Sequence, residues 1–214
     1  MYQPESFWNW FTNHNEQLTM LGDLDADSRV KLLSEMQHQL EDYCPGLSFE
    51  MGEATPKGRT ITFTAEGDTD LFRYVIDLTD NAPDLDWWDF VAFKPASGNN
   101  LKVRFDRYCF DTTKMHFMQL ECEEEPDFIG LRIAVNPEII VKGNAVKQPV
   151  NYDDEDLQVG VYVTIEAMIG EFDCATLIGY METCPVPSEP FKSGFQPMDD
   201  LPKFVEWFKQ KREK

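Results

Sequence analysis

Between Asp70 and Phe105 the chain reads DLFRYVIDLTDNAPDLDWWDFVAFKPASGNNLKVRF, and this stretch limits the possible folds more than any other. Leu71 (with Phe72), Val75, Leu78 and Ala82 recur at helical spacing, and Pro83 ends the run. From Trp87 to Lys94 the residues alternate, Trp88, Phe90 and Ala92 against Trp87, Val91 and Phe93, with apolar side chains on both faces. Such a strand belongs inside a sheet that is covered on both sides. A helix packed on a sheet, with the largest aromatics at the junction, is the starting point.

The flanking sequence extends this picture. Ser6 is placed to cap a helix whose stripe is Phe7, Trp10, Phe11, His14, Leu18 and Leu21, with Gly22 as its stop. A second helix starts near Asp25 or Asp27, carries Val30, Leu33, Met36, Leu40 and Tyr43, and ends at Pro45-Gly46. After Leu47 the period changes to two. LSFEM and RTITFTAE read as strands joined by a turn through Thr55-Pro56-Lys57-Gly58. KMHFMQLECE and IGLRIAV are further strands, while residues 106–113 are ambiguous. A helix capped within Asp153–Asp156 runs to Gly170, although its β-branched residues weaken that reading, and CATLIGYMETCP follows as a last strand. Four prolines make residues 185–198 an extended arm, pinned by Phe191 and Phe195, before a C-terminal helix over 199–214.

The expected fold class is α+β: a mixed or antiparallel sheet covered by helices, with an N-terminal helical hairpin over 6–43 and sheet and helices over 47–184. A single domain spanning 1–184 is the favoured organisation. Residues 47–94 and 115–182 share the order strand, strand, helix, strand without a residue-level repeat, so two similar halves sharing one sheet is the alternative.

The balance of 19 basic against 39 acidic residues gives a net charge of -20, which disfavours generic binding to phosphate backbones. Solubility explains such a surface, and so does docking to a basic protein partner. Acid concentrates in Glu121, Glu123, Glu124, Glu125 and Asp127 and again in Asp153, Asp154, Glu155 and Asp156, where solvated loops are the simplest account. No run of eighteen apolar residues occurs, so no membrane helix is expected, and MYQPESFWNWF lacks the pattern of a secretory signal. Five cysteines without CxxC spacing point to a reducing cytoplasm and no disulfide framework.

Catalytic and ligand motifs are weak. His14 and His38 lie in helices, and His116 shares a strand face with Cys122 at a separation of about 20 Å, too far for a nucleophile–base pair. Cys109, His116 and Cys122 match no compact zinc loop, and Asp153, Asp154 and Asp156 lack the glycine and distant glutamate of a calcium loop, so no metal or cofactor is expected. No glycine-rich phosphate loop is present. Glu171 and Asp173, in a turn after the Gly170 stop, could place two carboxylates at a pocket rim, against the simpler reading of a helix C-cap. Adjacent tryptophans cannot all face a core, so some of Trp8, Trp87 and Trp88 are candidates for a partner-binding anchor.

FWNWF, TDLFRYVIDLTDNAPDLDWWDFVAFKP and IGEFDCATLIGYMETCPVP together resemble an uncharacterised bacterial family of cytoplasmic α+β proteins, over most of residues 6–187. The resemblance implies a bacterial, soluble protein and brings no activity with it. The expectation is a non-enzymatic cytoplasmic protein of the inhibitor or regulatory kind, binding a basic partner through its acidic surface. The alternative is a small-molecule-binding protein or hydrolase using Glu171, Asp173 and His116. A homodimer through exposed aromatics is compatible with either.

Overall fold

The computed structural model describes residues 3–120, 127–146 and 148–212. Its contacts divide the chain into two compact units, Met1–Lys94 and Pro95–Lys214. Both are α+β, with three sheets among the described residues. No helix among them is long and apolar enough to cross a membrane.

The first unit opens with helices α1 (Pro4–Thr19) and α2 (Ala26–Tyr43), the expected hairpin. Pro4 sits in the first turn of α1 and Ser6 is not its cap. Asp25 caps α2, accepting from the Ser28 backbone N–H at 3.0 Å. Arg29 then staples the connection by donating to the carbonyls of Leu21 and Leu24. The buried stripes differ from the expected ones by one residue. Trp8 is buried where Trp10 was expected, and Leu32 replaces Val30, which is 67% exposed.

Strands β1 (Ser48–Met51), β2 (Arg59–Thr64) and β3 (Trp88–Ala92) form a sheet in that order. β1 runs antiparallel to β2, and β3 runs parallel to it. Parallel neighbours need a crossover, which here is helix α3 (Phe72–Asp80), burying Phe72, Val75 and Leu78. Alternation puts Ile61, Phe63, Trp88 and Phe90 on one face, and α1 lies against it. Trp8 meets Phe90 at 4.7 Å between ring centroids, Phe7 meets Phe63 at 5.6 Å and Phe11 meets Trp88 at 5.2 Å, all near edge-on. The Trp8 indole donates to the Leu78 carbonyl at 2.8 Å, and the Tyr43 hydroxyl donates toward Tyr74 at 3.1 Å. Those two bonds tie both hairpin helices to the crossover helix.

The second unit begins with the β4–β5 hairpin (Lys102–Phe105 and Tyr108–Asp111), which resolves the ambiguous 106–113 stretch. Asp106 takes a positive φ at the turn. β5 pairs with β8 (Glu138–Val141), which pairs with β9 (Asn144–Val146). The other sheet has β6 (His116–Leu120) antiparallel to β7 (Ile129–Ala134), and β7 parallel to β10 (Ile178–Cys184). Its crossover is helix α4 (Glu155–Ile169) followed at once by α5 (Glu171–Leu177). The expected strand from Cys174 is thus a helix as far as Leu177. Gly170, at φ +87, ends α4, and two acidic residues in the next turn favour a new helix N-terminus. The 185–198 arm is not wholly irregular. Gln196–Pro197 forms a two-residue strand, β11, against β6, and Phe195 is buried while Phe191 stays exposed.

α4 is buried over most of its circumference, and helix α6 (Leu201–Arg212) adds Leu201, Val205 and Phe208 to the same core. Each unit therefore repeats one arrangement in its own sheet: antiparallel pair, crossover helix, then a strand returning parallel to the second. The close seating of α4 depends on Gly160, where a Cβ would fall 2.5 Å from the Phe110 ring and 3.1 Å from the Phe105 Cβ. Gly160→Ala should cost about 1–3 kcal/mol by overpacking, despite the better helix propensity of alanine. Gly22→Ala, with nothing within 4 Å of the added carbon, should be near neutral in the same urea titration.

Candidate functional site

The connection from β1 to β2 closes on itself before β2 begins. Thr55 N–H donates to the Gly58 carbonyl at 2.9 Å, and Gly58 N–H returns to Thr55 at 3.1 Å. The Thr55 hydroxyl also donates to the Gly58 carbonyl. Gly58 has φ +130, and a Cβ there would lie 2.4 Å from the Trp87 carbonyl oxygen, so the turn needs glycine twice over. Immediately after it, Arg59 N–H donates to that same Trp87 carbonyl at 2.9 Å. The hairpin and the Pro83 break are thereby locked together, with Arg59 beside the tryptophan pair.

A pocket of about 370 Å³ opens there, lined by Glu53, Lys57, Arg59, Asp86, Trp87 and Asp89 among others. The two tryptophans play different parts. Trp88 is buried and its indole donates to Asn15 Oδ1 at 2.6 Å. Trp87 is half-buried, and its Nε1–H is sealed from water with no partner among the described residues. Arg59 Nε is in the same condition, and its Nη1 rests on Met51 Sδ at 3.2 Å, a weak acceptor. Leaving a buried donor unmade costs about 1–3 kcal/mol, and both of these belong to residues that line the pocket although the atoms themselves are closed to it. Trp8, the third tryptophan of the sequence reading, is buried and satisfied by Leu78.

The carboxylates of the second unit are arranged differently from the sequence expectation. Glu171 is fully buried at the start of α5, and Glu166 is buried in the last turns of α4. Asp173 is held by the Lys209 ammonium at 2.9 Å, which Glu206 shares at 2.8 Å. The Asp173 bond is the first cause raising the Lys209 pKa, with Glu206 second. Neither carboxylate stands at a solvated turn. Burial pushes the neighbouring Cys174 thiol up to about 12 and also raises the Tyr162 hydroxyl. His116 is elsewhere, its ring edge-on to Phe191 at 5.6 Å, its Nδ1 without a partner among the described residues and its pKa lowered by burial.

Among the described residues no three His, Cys, Asp or Glu side chains converge to hold a metal ion. Cys122 and the cluster Glu121 to Glu125 lie outside those residues. In the second acidic cluster, Asp154 caps α4 by accepting from Asp156 N–H at 3.0 Å and pairs with Arg107. Arg59 and Lys57 escaped the sequence reading. Their signal is a charged residue at the head of an otherwise Thr/Ile/Phe strand, directly after a Pro-Lys-Gly turn. No protein-family model, curated protein or solved structure matches the chain.

Gly58→Ala should lower stability by about 2 kcal/mol or more, through the positive φ and the displaced Trp87 carbonyl, seen as a reduced urea midpoint. For Cys174, the folded state keeps a proton that the unfolded thiol loses near pH 9.0. Its contribution to stability is therefore complete below pH 9 and is lost as pH rises from there toward 12. Iodoacetamide at pH 8 should spare Cys174 in the folded protein and label it only after denaturation, as mapped by peptide mass.

Proposed function

We propose that the first unit is a protein-binding module that docks a basic partner through its acidic surface. The observation that carries this reading is the state of its carboxylates. Residues 1–94 hold eighteen Asp and Glu against six Lys and Arg, a net of -12, and all eighteen carboxylates are exposed. Among the described residues, Glu35 and Glu66 alone of the eighteen pair with a lysine. Unneutralised charge at that density raises the encounter rate with a cationic surface and repels anionic ones. Four free thiols, Cys44, Cys109, Cys174 and Cys184, suit a reducing compartment such as the cytoplasm.

The test is capture of partners by the full chain from native lysate, followed by affinity measurement on the purified complex. The expected partner is basic and is released between 0.1 M and 1 M salt, where the screening length falls from about 10 Å to about 3 Å. It should bind more weakly to D27N/D80N/D84N, which removes three exposed charges that form no ion pair among the described residues. A partner that stays bound at high salt and ignores that variant would rule the reading out.

A further inference from the structure

The acidic surface explains attraction but not the two unpartnered donors beneath it. Arg59 Nε and Trp87 Nε1 both belong to residues lining one pocket, and both are sealed from solvent. Because neither atom is open to the pocket, both side chains have to turn before their donors meet an acceptor oxygen there. The wall also carries three carboxylates, Glu53, Asp86 and Asp89, against two cations, Lys57 and Arg59. A free anion would have to enter against that excess and against the charge of the whole unit. A neutral carbonyl attached to a cation would be drawn in.

We infer that this pocket takes a lysine or arginine residue of a polypeptide, its backbone carbonyl accepting from Trp87 and Arg59 and its side-chain cation facing Glu53, Asp86 and Asp89. The volume, about 370 Å³, is of the size that holds one such residue. Arg59 surrenders only a bond to the Met51 sulfur when it turns toward the ligand. The inference rests on the basic-partner reading and adds to it the place where one residue of that partner is read.

The Trp87 indole N–H is itself the probe. The chain has five tryptophans, so an amide-correlation spectrum of the labelled full chain shows few indole signals, and Trp87→Phe identifies the one concerned. N-acetyl-lysine methylamide should move that signal. Arg59→Gln should weaken the binding about tenfold, and so should replacing the probe by its norleucine analogue, which keeps the amide and lacks the charge. If Trp87→Phe does not fold, Arg59→Gln and the probe pair carry the test. A Trp87 signal unmoved by the lysine probe, or moved equally by norleucine, overturns the inference. Salt-released partner binding that survives both outcomes would leave the acidic-surface reading standing alone. A responsive pocket with no basic partner would remove that reading and keep the pocket.

Discussion

Two β-strands that run parallel cannot be joined by a tight turn, and the way each unit meets that requirement determines most of what surrounds it. In the first unit α3 carries the chain from β2 back to β3, and in the second α4 and α5 carry it from β7 to β10. The crossover has to be buried against its sheet, which is why Val75 and Leu78, and on a larger scale Val161, Ile165 and Met168, are fully enclosed. The N-terminal hairpin is arranged around the same element, through Trp8 to Leu78 and Tyr43 to Tyr74. The pocket follows too. Arg59 begins β2 and Trp88 begins β3, so it opens at the entering ends of the parallel pair. Open α/β sheets hold their ligands at the opposite, carboxyl ends.

The sequence reading recovered what depends on local spacing and missed what depends on a partner surface. Apolar residues three and four apart placed α1, α2 and α3, but not the choice between Trp8 and Trp10. That choice is made by Phe63 and Phe90, which are more than fifty residues away. Gly170 was legible as a stop, whereas the restart at Glu171 was not, because Glu171 to Asp173 read as a turn and the residues from Cys174 as the start of a strand. Trp87 and Trp88 were visible as a pair needing separate explanations. Which of them finds an acceptor is a tertiary fact: Asn15 reaches the Trp88 indole from α1, and among the described residues no acceptor reaches Trp87 Nε1. Arg59 was invisible as a site residue for the same reason.

The acidic composition divides into two physical roles. Some carboxylates are spent locally, Asp25, Asp68, Asp111 and Asp154 each accepting a backbone N–H at the start of a helical turn. Glu155 and Asp156 add charge beside the positive end of α4. These would be present in a protein of ordinary charge. The remainder, exposed and mostly without cationic neighbours in the first unit, has no local use, and it is this remainder that sets how the surface meets other molecules.

The short strand β11 brings Pro197 opposite His116 along β6. A proline has no N–H to offer, and two residues are too few to template another strand. The border of the sheet on that side is closed to edge-to-edge growth between copies, a safeguard in a unit whose β6 and β7 segments are otherwise rich in Phe, Met, Leu and Ile. Losing the β11 pairing alone would leave the core side chains in place and yet expose a border able to recruit its own kind, so the cost would fall on solubility before folding.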